Sequence, residues 1–222
     1  MESKLEERER EVFKILEKLA KIKKVILIGG YAMNAYSDFP RFSLDCDLVV
    51  DNPQSCRQIL IKSGFKRKEK TEDFERYEKP INGTRVGADI LIGKIIDRQS
   101  GTVFDINDLD PKFAEIFGKS DSKLSVKFYV ISPEMLFITK FAVLRRQDLR
   151  DIFMLTSYKL EKKKIQAFLR KYFTQDLKKE KITRVKIFLG SRQFLHSLQG
   201  VYGKLPEKFI ERNKRMLLSL LE

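Results

Sequence analysis

Two aspartates separated by one residue, Asp45 and Asp47, are the residues whose type and spacing point most directly to chemistry. They lie in Leu44–Val50, an apolar run typical of a strand, in which successive side chains point to opposite faces. Asp45 and Asp47 therefore share one face, and Cys46 lies on the other. Two neighbouring carboxylates in an apolar strand repel each other and lose hydration, and a cation between them offsets both costs. The pattern predicts a metal site on a rigid strand.

A third carboxylate, Asp89, lies within the apolar segment Thr84–Gly93, which also has the composition of a strand. An aspartate inside such a run needs a partner or a cation, because burying an unpaired charge is costly. We expect Asp89 to be the third acidic residue of the site, and the alternative is an aspartate on an exposed strand face. Asp97 and Asp105 lie in less regular sequence and are weaker substitutes.

The scarcity of histidine and cysteine limits the kind of metal. The chain has one histidine, His196, and two cysteines, Cys46 and Cys56. No common zinc site can be assembled from these residues, so any metal should be a hard cation with oxygen ligands. We expect both cysteines to be reduced. His196 lacks a partner signature and is expected to be an ordinary structural or surface residue.

The composition indicates a folded protein without membrane segments. Hydrophobic residues make up 42% of the 222 residues, and 17 of these are phenylalanine, which argues against a disordered chain. No apolar run approaches the length that crosses a bilayer, and the charged segment Met1–Arg10 lacks the apolar stretch of a signal peptide. We therefore expect a cytoplasmic protein with no membrane partner.

The positive charge of the chain is concentrated in its C-terminal part. Residues 159–222 hold 17 Lys and Arg against 6 Asp and Glu, so they contribute +11 of the net charge of +14. Much of this excess could be a solvated surface. Its concentration nevertheless favours an anionic polymer as partner, with RNA as the first candidate.

The periodicity of apolar residues divides the chain near Ser132. An amphipathic helix is predicted over residues 2–20, and Ser132-Pro133-Glu134 has the residue order of a helix start. We predict an α+β fold in which residues 1–131 form a mixed sheet with flanking helices and residues 132–222 form a basic helical domain. The predicted helices of that second domain are Pro133–Arg146, Asp148–Tyr158, Glu161–Phe173, Leu177–Leu189 and Pro206–Leu221.

The segment before the aspartate pair has a recognisable order. Val25–Ile28 reads as a buried strand, Gly29-Gly30 ends it, and a short helix is predicted over Tyr31–Tyr36. This order resembles the signature of the nucleotidyltransferase superfamily that includes DNA polymerase β. In that signature a strand is followed by a Gly-Gly or Gly-Ser turn, a helix and then a strand with Asp-x-Asp. Arg41-Phe42-Ser43 looks like the Arg-x-Ser/Thr that precedes the aspartates in minimal members.

A second resemblance lies at the predicted domain boundary. The run Ile131–Lys140 looks like a segment of the AbiEii and MenT-like minimal nucleotidyltransferases, in which a strand leads through Ser-Pro-Glu into a helix bearing a lysine. Arg145–Ile152 resembles their Arg-Asp-x-x-Asp stretch. The matched segments cover roughly a quarter of the chain.

The resemblance implies roles for particular residues. Asp45, Asp47 and Asp89 would hold Mg²⁺ or Mn²⁺, and Asp89 could also take the proton from the attacking hydroxyl. The glycines would let a triphosphate approach the backbone at a helix N-terminus. The implied nucleotide-binding residues are Gly29, Gly30, Ser43, Lys140 and Asp151.

Lys140 and the aspartates that follow it also have an ordinary structural interpretation. Lys140 could keep a buried stem and a solvated amine, and this alternative has about equal weight. Asp148 and Asp151 are three residues apart and share a helix face, where they could form a surface ion cluster with Arg145, Arg146 or Arg150.

The function predicted from these observations is metal-dependent transfer of a nucleoside monophosphate from an NTP to an acceptor hydroxyl, possible acceptors being RNA or tRNA. A toxin with an antitoxin partner is one form of it. The main alternative is an inactive nucleotidyltransferase fold that serves as an RNA-binding or regulatory module. Metal-dependent nucleotide binding distinguishes the active enzyme from this inactive module. A dinucleotide-binding fold is disfavoured, because Gly29-Gly30 lacks the Gly-x-Gly-x-x-Gly spacing. The sequence leaves open the base, the acceptor, the oligomeric state and whether the fold is active.

Overall fold

The structure, a computed structural model, describes residues 3–121 and 123–222. The chain divides into two units. The first contains the described residues up to Ile95 together with Phe104–Ser132, and the second contains Ile96–Val103 and Pro133–Glu222. The start of the predicted N-terminal helix, at Glu2, lies outside the described residues. The predicted domains, residues 1–131 and 132–222, stay a prediction.

The first unit alternates strands with short helices. Its helices are α1 Lys4–Leu19, α2 Gly29–Met33, α3 Gln54–Lys62 and a single 3₁₀ turn at Ile106–Asp108. Its strands are β1 Val25–Ile28, β2 Asp45–Val50, β3 Lys66–Lys70, β4 Phe74–Ile81, β5 Thr84–Ile92, β8 Lys112–Phe117 and β9 Ser125–Val130. The strands β6 Lys94–Ile96 and β7 Val103–Asp105 each have one residue in the second unit. The strands predicted around Asp45 and Asp89 are thus both present.

Seven strands of the described residues form one mixed sheet in the order β3-β4-β5-β2-β1-β9-β8. The central pairs β2–β5 and β1–β9 are parallel, and β1–β2, β3–β4, β4–β5 and β8–β9 are antiparallel. The strands β6 and β7 form a separate two-stranded ribbon. The predicted α+β fold with a mixed sheet is confirmed.

One face of the large sheet is apolar and is covered by α1 and α3. Cys46 and Leu48 of β2 point to this face, and both are buried with Ala88 and Ile90 of the neighbouring strand β5. The helix α1 buries Val12, Phe13 and Leu16, which follow the predicted amphipathic spacing. Because strand side chains alternate, the charged residues of β2 and β5 are left on the opposite face.

The second unit is helical, as predicted for the C-terminal region. Its helices are α4 Pro133–Val143, α5 Arg146–Leu155, α6 Lys162–Tyr172, α7 Gln175–Gly190, α8 Arg192–Tyr202 and α9 Glu207–Leu221. The prediction missed α8, and it placed the end of α4 at Arg146. The helix ends earlier because Leu144 adopts a left-handed backbone conformation with φ 53°.

Both cysteines are buried and free, in agreement with the expectation from the sequence. Burial raises the pKa of Cys56 to about 11 and raises the pKa of Cys46 well above its ordinary value. Both thiols therefore remain protonated and unreactive at neutral pH. Within the part of the chain that the structure describes, no helix is long and apolar enough to cross a membrane.

A buried ion pair fastens α3 to the apolar face of the sheet. Arg57 donates from Nε and Nη2 to the two carboxylate oxygens of Glu75, at 2.9 and 2.7 Å, and Tyr77 donates its hydroxyl to the same carboxylate at 2.9 Å. The Glu75 side chain is 0% exposed. Burial alone would raise the pKa of Glu75, but the hydrogen bonds from Arg57 and Tyr77 and the charge of Arg57 lower it.

We predict that Arg57→Met lowers the free energy of unfolding by about 3 kcal/mol at neutral pH, because it leaves a buried carboxylate without its cation. The lowered pKa of Glu75 contributes stability above the carboxyl's ordinary value of 4.5, and this contribution is lost as the pH falls through the folded-state pKa. The variant should therefore lose less stability on acidification than the parent chain. Urea unfolding across that pH range measures both effects.

Arg85→Met is the matched control. Arg85 pairs with Glu78 at 3.0 Å, but its side chain is 73% exposed, so its loss should change the unfolding free energy by less than about 1 kcal/mol. Equal effects of the two substitutions would show that the buried pair does not stabilise the fold.

Candidate functional site

The register between the parallel strands β2 and β5 brings three aspartates together on one face of the sheet. Asp47 lies directly opposite Asp89, and Asp45 lies opposite Gly87. Asp45 and Asp47 are half-buried, whereas Asp89 is 7% exposed. The three carboxylates predicted from the sequence are therefore neighbours on adjacent strands.

Two glycines provide the space that the β2 carboxylates occupy. A Cβ atom on Gly29 would lie 1.9 Å from Oδ2 of Asp47, and one on Gly87 would lie 2.0 Å from Oδ1 of Asp45. Gly29 also has φ 69°, a left-handed conformation that side-chain-bearing residues rarely adopt. The positions of both carboxylates thus depend on glycine at the residues beside them.

Asp89 is bound to an arginine that the sequence prediction did not include. Arg76 of β4 donates from Nε to Oδ1 of Asp89 at 2.9 Å and from Nη2 to Oδ2 at 2.7 Å. The two residues are register partners on β4 and β5, so their side chains lie on the same face as Asp47. This bidentate pair neutralises the most buried of the three carboxylates.

The electrostatic strain of the cluster is visible at Asp45. Burial and the nearby charge of Asp89 raise the pKa of Asp45, while the guanidinium of Arg76 opposes this shift. A positive charge close to Asp45 would therefore be stabilised by the carboxylates of Asp45 and Asp89, which now repel each other.

The donor set fits a hard divalent cation at two of the three aspartates. Asp45 and Asp47 lie two residues apart on one face of β2, with the Asp45 carboxylate over Gly87 and the Asp47 carboxylate over Gly29. Carboxylate oxygens are the ligands that Mg²⁺ and Mn²⁺ prefer. Both oxygens of Asp89 are engaged by Arg76. In residues 3–121 and 123–222, no group of three or more His, Cys, Asp or Glu side chains is arranged as a metal site. The binding of a metal by Asp45, Asp47 and Asp89 therefore stays a prediction.

Next to these carboxylates, a hydroxyl and a guanidinium lie over the glycine turn. A Cβ atom on Gly30 would lie 2.1 Å from Oγ of Ser43 and 3.3 Å from Nη2 of Arg41. The Tyr31 hydroxyl donates to the backbone oxygen of Ser43 at 3.2 Å. Gly29, Gly30 and Ser43 are thus brought together as the sequence suggested. Arg41 was part of the motif, but no role had been assigned to it.

The other two predicted nucleotide-binding residues form a buried pair in the second unit. Nζ of Lys140 on α4 lies 2.6 Å from Oδ2 of Asp151 on α5. The Lys140 side chain is 8% exposed and that of Asp151 is 0% exposed. The alternative of a solvated lysine amine is therefore wrong.

Asp148 has a structural role at the start of α5. It accepts hydrogen bonds from the backbone nitrogen and from Nε of Arg145 at 3.1 and 2.8 Å, and its other oxygen lies 3.6 Å from Nζ of Lys140. The alternative of a surface ion cluster at Asp148 and Asp151 included the pairing of Asp148 with Arg145. That pairing is present, but the Asp148 side chain is 2% exposed, so the pair is not a surface ion cluster. Asp148 both caps α5 and adds negative charge beside Lys140.

Comparison with known sequences gives one family. A family profile described as "Nucleotidyl transferase AbiEii toxin, Type IV TA system" matches residues 13–214. No curated protein sequence gives a significant match.

Comparison with solved structures gives similar folds at low sequence identity. JHP933 from Helicobacter pylori has a TM-score of 0.59 and 12% identity, over 100% of this chain and 91% of its own. A candidate nucleotidyltransferase from H. pylori has a TM-score of 0.55 and 12% identity, over 100% of this chain and 94% of its own. At this identity the likeness shows a shared fold.

We predict that Gly29→Ala weakens binding of Mn²⁺, because the new Cβ displaces the Asp47 carboxylate from the position it now occupies. It should also cost about 1–2 kcal/mol of unfolding free energy through its left-handed backbone. Thermal unfolding with and without Mn²⁺ measures the two effects on the same samples.

Gly93→Ala separates the displacement from the backbone strain. Gly93 has φ 72°, yet a Cβ atom there meets nothing within 4 Å. This control should lose stability while keeping the Mn²⁺-induced shift. If the two variants behave alike, the space at Gly29 is not required for metal binding.

Proposed function

The chain belongs to the AbiEii nucleotidyl transferase family, and from this premise we propose that it transfers a nucleoside monophosphate from an NTP to an acceptor hydroxyl with the help of a divalent metal. The observation that carries the proposal is the register that sets Asp47 opposite Asp89 and beside Gly29. Carboxylates, a glycine turn and a hydroxyl converge there, as phosphoryl chemistry requires. The resemblance to this family is confirmed.

In the proposed reaction, the acceptor oxygen attacks the α-phosphorus while the bond from that phosphorus to the pyrophosphate oxygen breaks. Pyrophosphate leaves with the electron pair of that bond. Asp45 and Asp47 would hold the divalent ion, which supplies positive charge at the reacting phosphate and orients its oxygens. The proton of the acceptor hydroxyl would pass to a carboxylate oxygen of Asp89, which Arg76 holds in place.

The triphosphate would be held by groups around the glycine turn. The absence of a side chain at Gly29 and Gly30 lets the Asp47 carboxylate and the Ser43 hydroxyl lie against the backbone of the turn, and Ser43 offers a hydroxyl donor over Gly30. Lys140 and Asp151 are further candidate nucleotide-binding residues. Their ion pair holds the lysine amine in one position, so a phosphate contact would share the amine with Asp151.

We propose RNA, with tRNA included, as the acceptor. The charge of +11 in residues 159–222 supports this, because many of its lysines and arginines lie exposed on α6 and α7. The family profile is that of a toxin of a type IV toxin–antitoxin system, which supports an antitoxin as a second partner. These substrates and partners agree with the expected cytoplasmic location.

Two observations favour the alternative function, an inactive nucleotidyltransferase fold that serves as an RNA-binding or regulatory module. Both oxygens of Asp89 are engaged by Arg76, and no three-ligand metal cluster is present among residues 3–121 and 123–222. A chain of this kind would bind RNA through its basic helices without transferring a nucleotide. Mg²⁺-dependent nucleotide binding separates the two functions.

We predict that the purified chain, with Mg²⁺ and each α-labelled NTP in turn, moves label into total RNA. Asp45→Asn and Asp47→Asn should each abolish labelling and leave the melting temperature nearly unchanged, because an amide keeps the shape but loses the charge that holds the metal. A parallel incubation without RNA shows whether the chain labels itself.

Asp51→Asn is the control for this series. Asp51 follows β2 directly, its side chain is 51% exposed, and its contact with Lys24 spans 3.9 Å. It should transfer at the rate of the parent chain. Undiminished transfer by Asp45→Asn or Asp47→Asn would overturn the metal assignment, and the absence of both transfer and nucleotide binding would favour the inactive fold.

We predict that the double substitution Lys162→Glu with Lys163→Glu on α6 weakens RNA labelling and makes the RNA affinity depend less on salt concentration. Both lysines are exposed, so each can contact a phosphate of the RNA. Each lost phosphate contact should reduce the slope of log affinity against log salt by about 0.7 where the RNA is single-stranded. RNA titrations at several salt concentrations give this slope.

The matching double variant in the first unit is Lys66→Glu with Lys68→Glu on the exposed edge strand β3. It changes the net charge by the same amount. Equal losses from the two double variants would attribute RNA binding to net charge and not to α6.

A further inference from the structure

The segment between α2 and β2 carries Arg41 and Ser43 but has no helix or strand to hold it. Its backbone is fixed instead by the side chain of Asn34, the residue that follows α2. Oδ1 of Asn34 accepts from the backbone nitrogen of Arg41 at 3.1 Å. Nδ2 donates to the backbone oxygen of Arg41 at 3.1 Å and to that of Phe117, at the end of β8, also at 3.1 Å.

These three hydrogen bonds need a carboxamide. Asn34 is 2% exposed, so backbone groups that lost its partnership would not regain hydrogen bonds to water without local rearrangement. An asparagine side chain provides two N–H donors and an acceptor at once, which neither aspartate nor serine does. The residue therefore joins the segment at Arg41 to the end of β8.

The anchored segment determines where the Ser43 hydroxyl lies. Ser43 is two residues beyond Arg41, and its backbone oxygen is held by the hydroxyl of Tyr31 on α2. Between these two attachments, the Ser43 hydroxyl and the Arg41 guanidinium are both brought over Gly30. The Asn34 side chain bonds to backbone groups of this segment and of β8, so its effect on a bound phosphate would pass through its neighbours.

We propose that Asn34 is a positioning residue for the triphosphate of the NTP, acting through the Arg41–Ser43 segment. The inference rests on the proposed function, because it takes Ser43 as a phosphate contact. It adds that the affinity for the triphosphate is set by a buried carboxamide outside the recognised motifs. A role in stability alone is the competing account.

A double-mutant cycle between Asn34→Ala and Ser43→Ala distinguishes the two accounts. The measured quantities are the KM for the NTP identified by the transfer assay, kcat, and the Kd of inorganic tripolyphosphate in Mg²⁺. Asn34→Ala should raise the KM and the Kd about tenfold in the parent chain, because it releases the segment that holds the hydroxyl. In the Ser43→Ala background the same substitution should change them less than about twofold.

Tyr77→Phe is the control for the loss of a buried hydrogen bond. The Tyr77 hydroxyl bonds to Glu75 on the opposite face of the same sheet, so its removal should lower stability and leave KM and Kd unchanged. If Asn34→Ala does not fold, Asn34→Ser replaces it, since a hydroxyl cannot span Arg41 and Phe117 together.

Each outcome bears on the inference. Non-additive losses in the cycle support it, whereas additive losses, or an Asn34→Ala variant that resembles Tyr77→Phe, overturn it and leave the proposed function intact. A parent chain that binds no triphosphate, or a Ser43→Ala variant with unchanged affinity, removes the inference because the proposed site has failed.

Discussion

Repulsion between carboxylates on neighbouring strands is the constraint on which the arrangement of the first unit depends. Asp45, Asp47 and Asp89 lie on one face of β2 and β5, where the other residues of the strands are largely apolar. Arg76 neutralises Asp89 by a bidentate bond, and this leaves the β2 pair as the part of the cluster that a metal would complete. The sheet thus supplies its own cation at Asp89, and under the proposed function a divalent metal would bring positive charge to Asp45 and Asp47.

In the second unit, a buried lysine is compensated by carboxylates, the reverse of the arrangement at Asp89. Lys140 is surrounded by two carboxylates of α5, at 2.6 and 3.6 Å, and is almost completely buried. The end of α4 that follows it is held by α7, because Lys181 donates to the backbone oxygen of Ala142 and Arg184 donates to that of Leu144 at 3.4 Å. The lysine is therefore fixed both through its charge and through its helix, which favours a defined position for its amine.

Residue type and strand alternation were enough to predict that the β2 and β5 carboxylates lie together, because a buried aspartate in an apolar strand is stable only beside a partner or a cation. The bond from Arg76 to Asp89 could not be predicted, since it depends on the register between β4 and β5. Asn34 gave no signal because a single asparagine after a short helix is common, and only its burial distinguishes it. The helix α8 was not predicted because Gly200 and Gly203, near its end, are residues typical of loops. The end of α4 was placed too late because leucine, the residue at position 144, rarely adopts a left-handed backbone conformation.

The volume left by each missing side chain also constrains how this sequence can change over evolutionary time. Asp47 occupies the space of a Cβ on Gly29, and Asp45 occupies the space of one on Gly87. A larger residue at either glycine is compatible with the sheet only if the adjacent aspartate is replaced by a smaller residue or its side chain moves away from the cluster. Each glycine and its aspartate therefore form one heritable unit, and the two positions of a pair are expected to vary together among relatives or not at all.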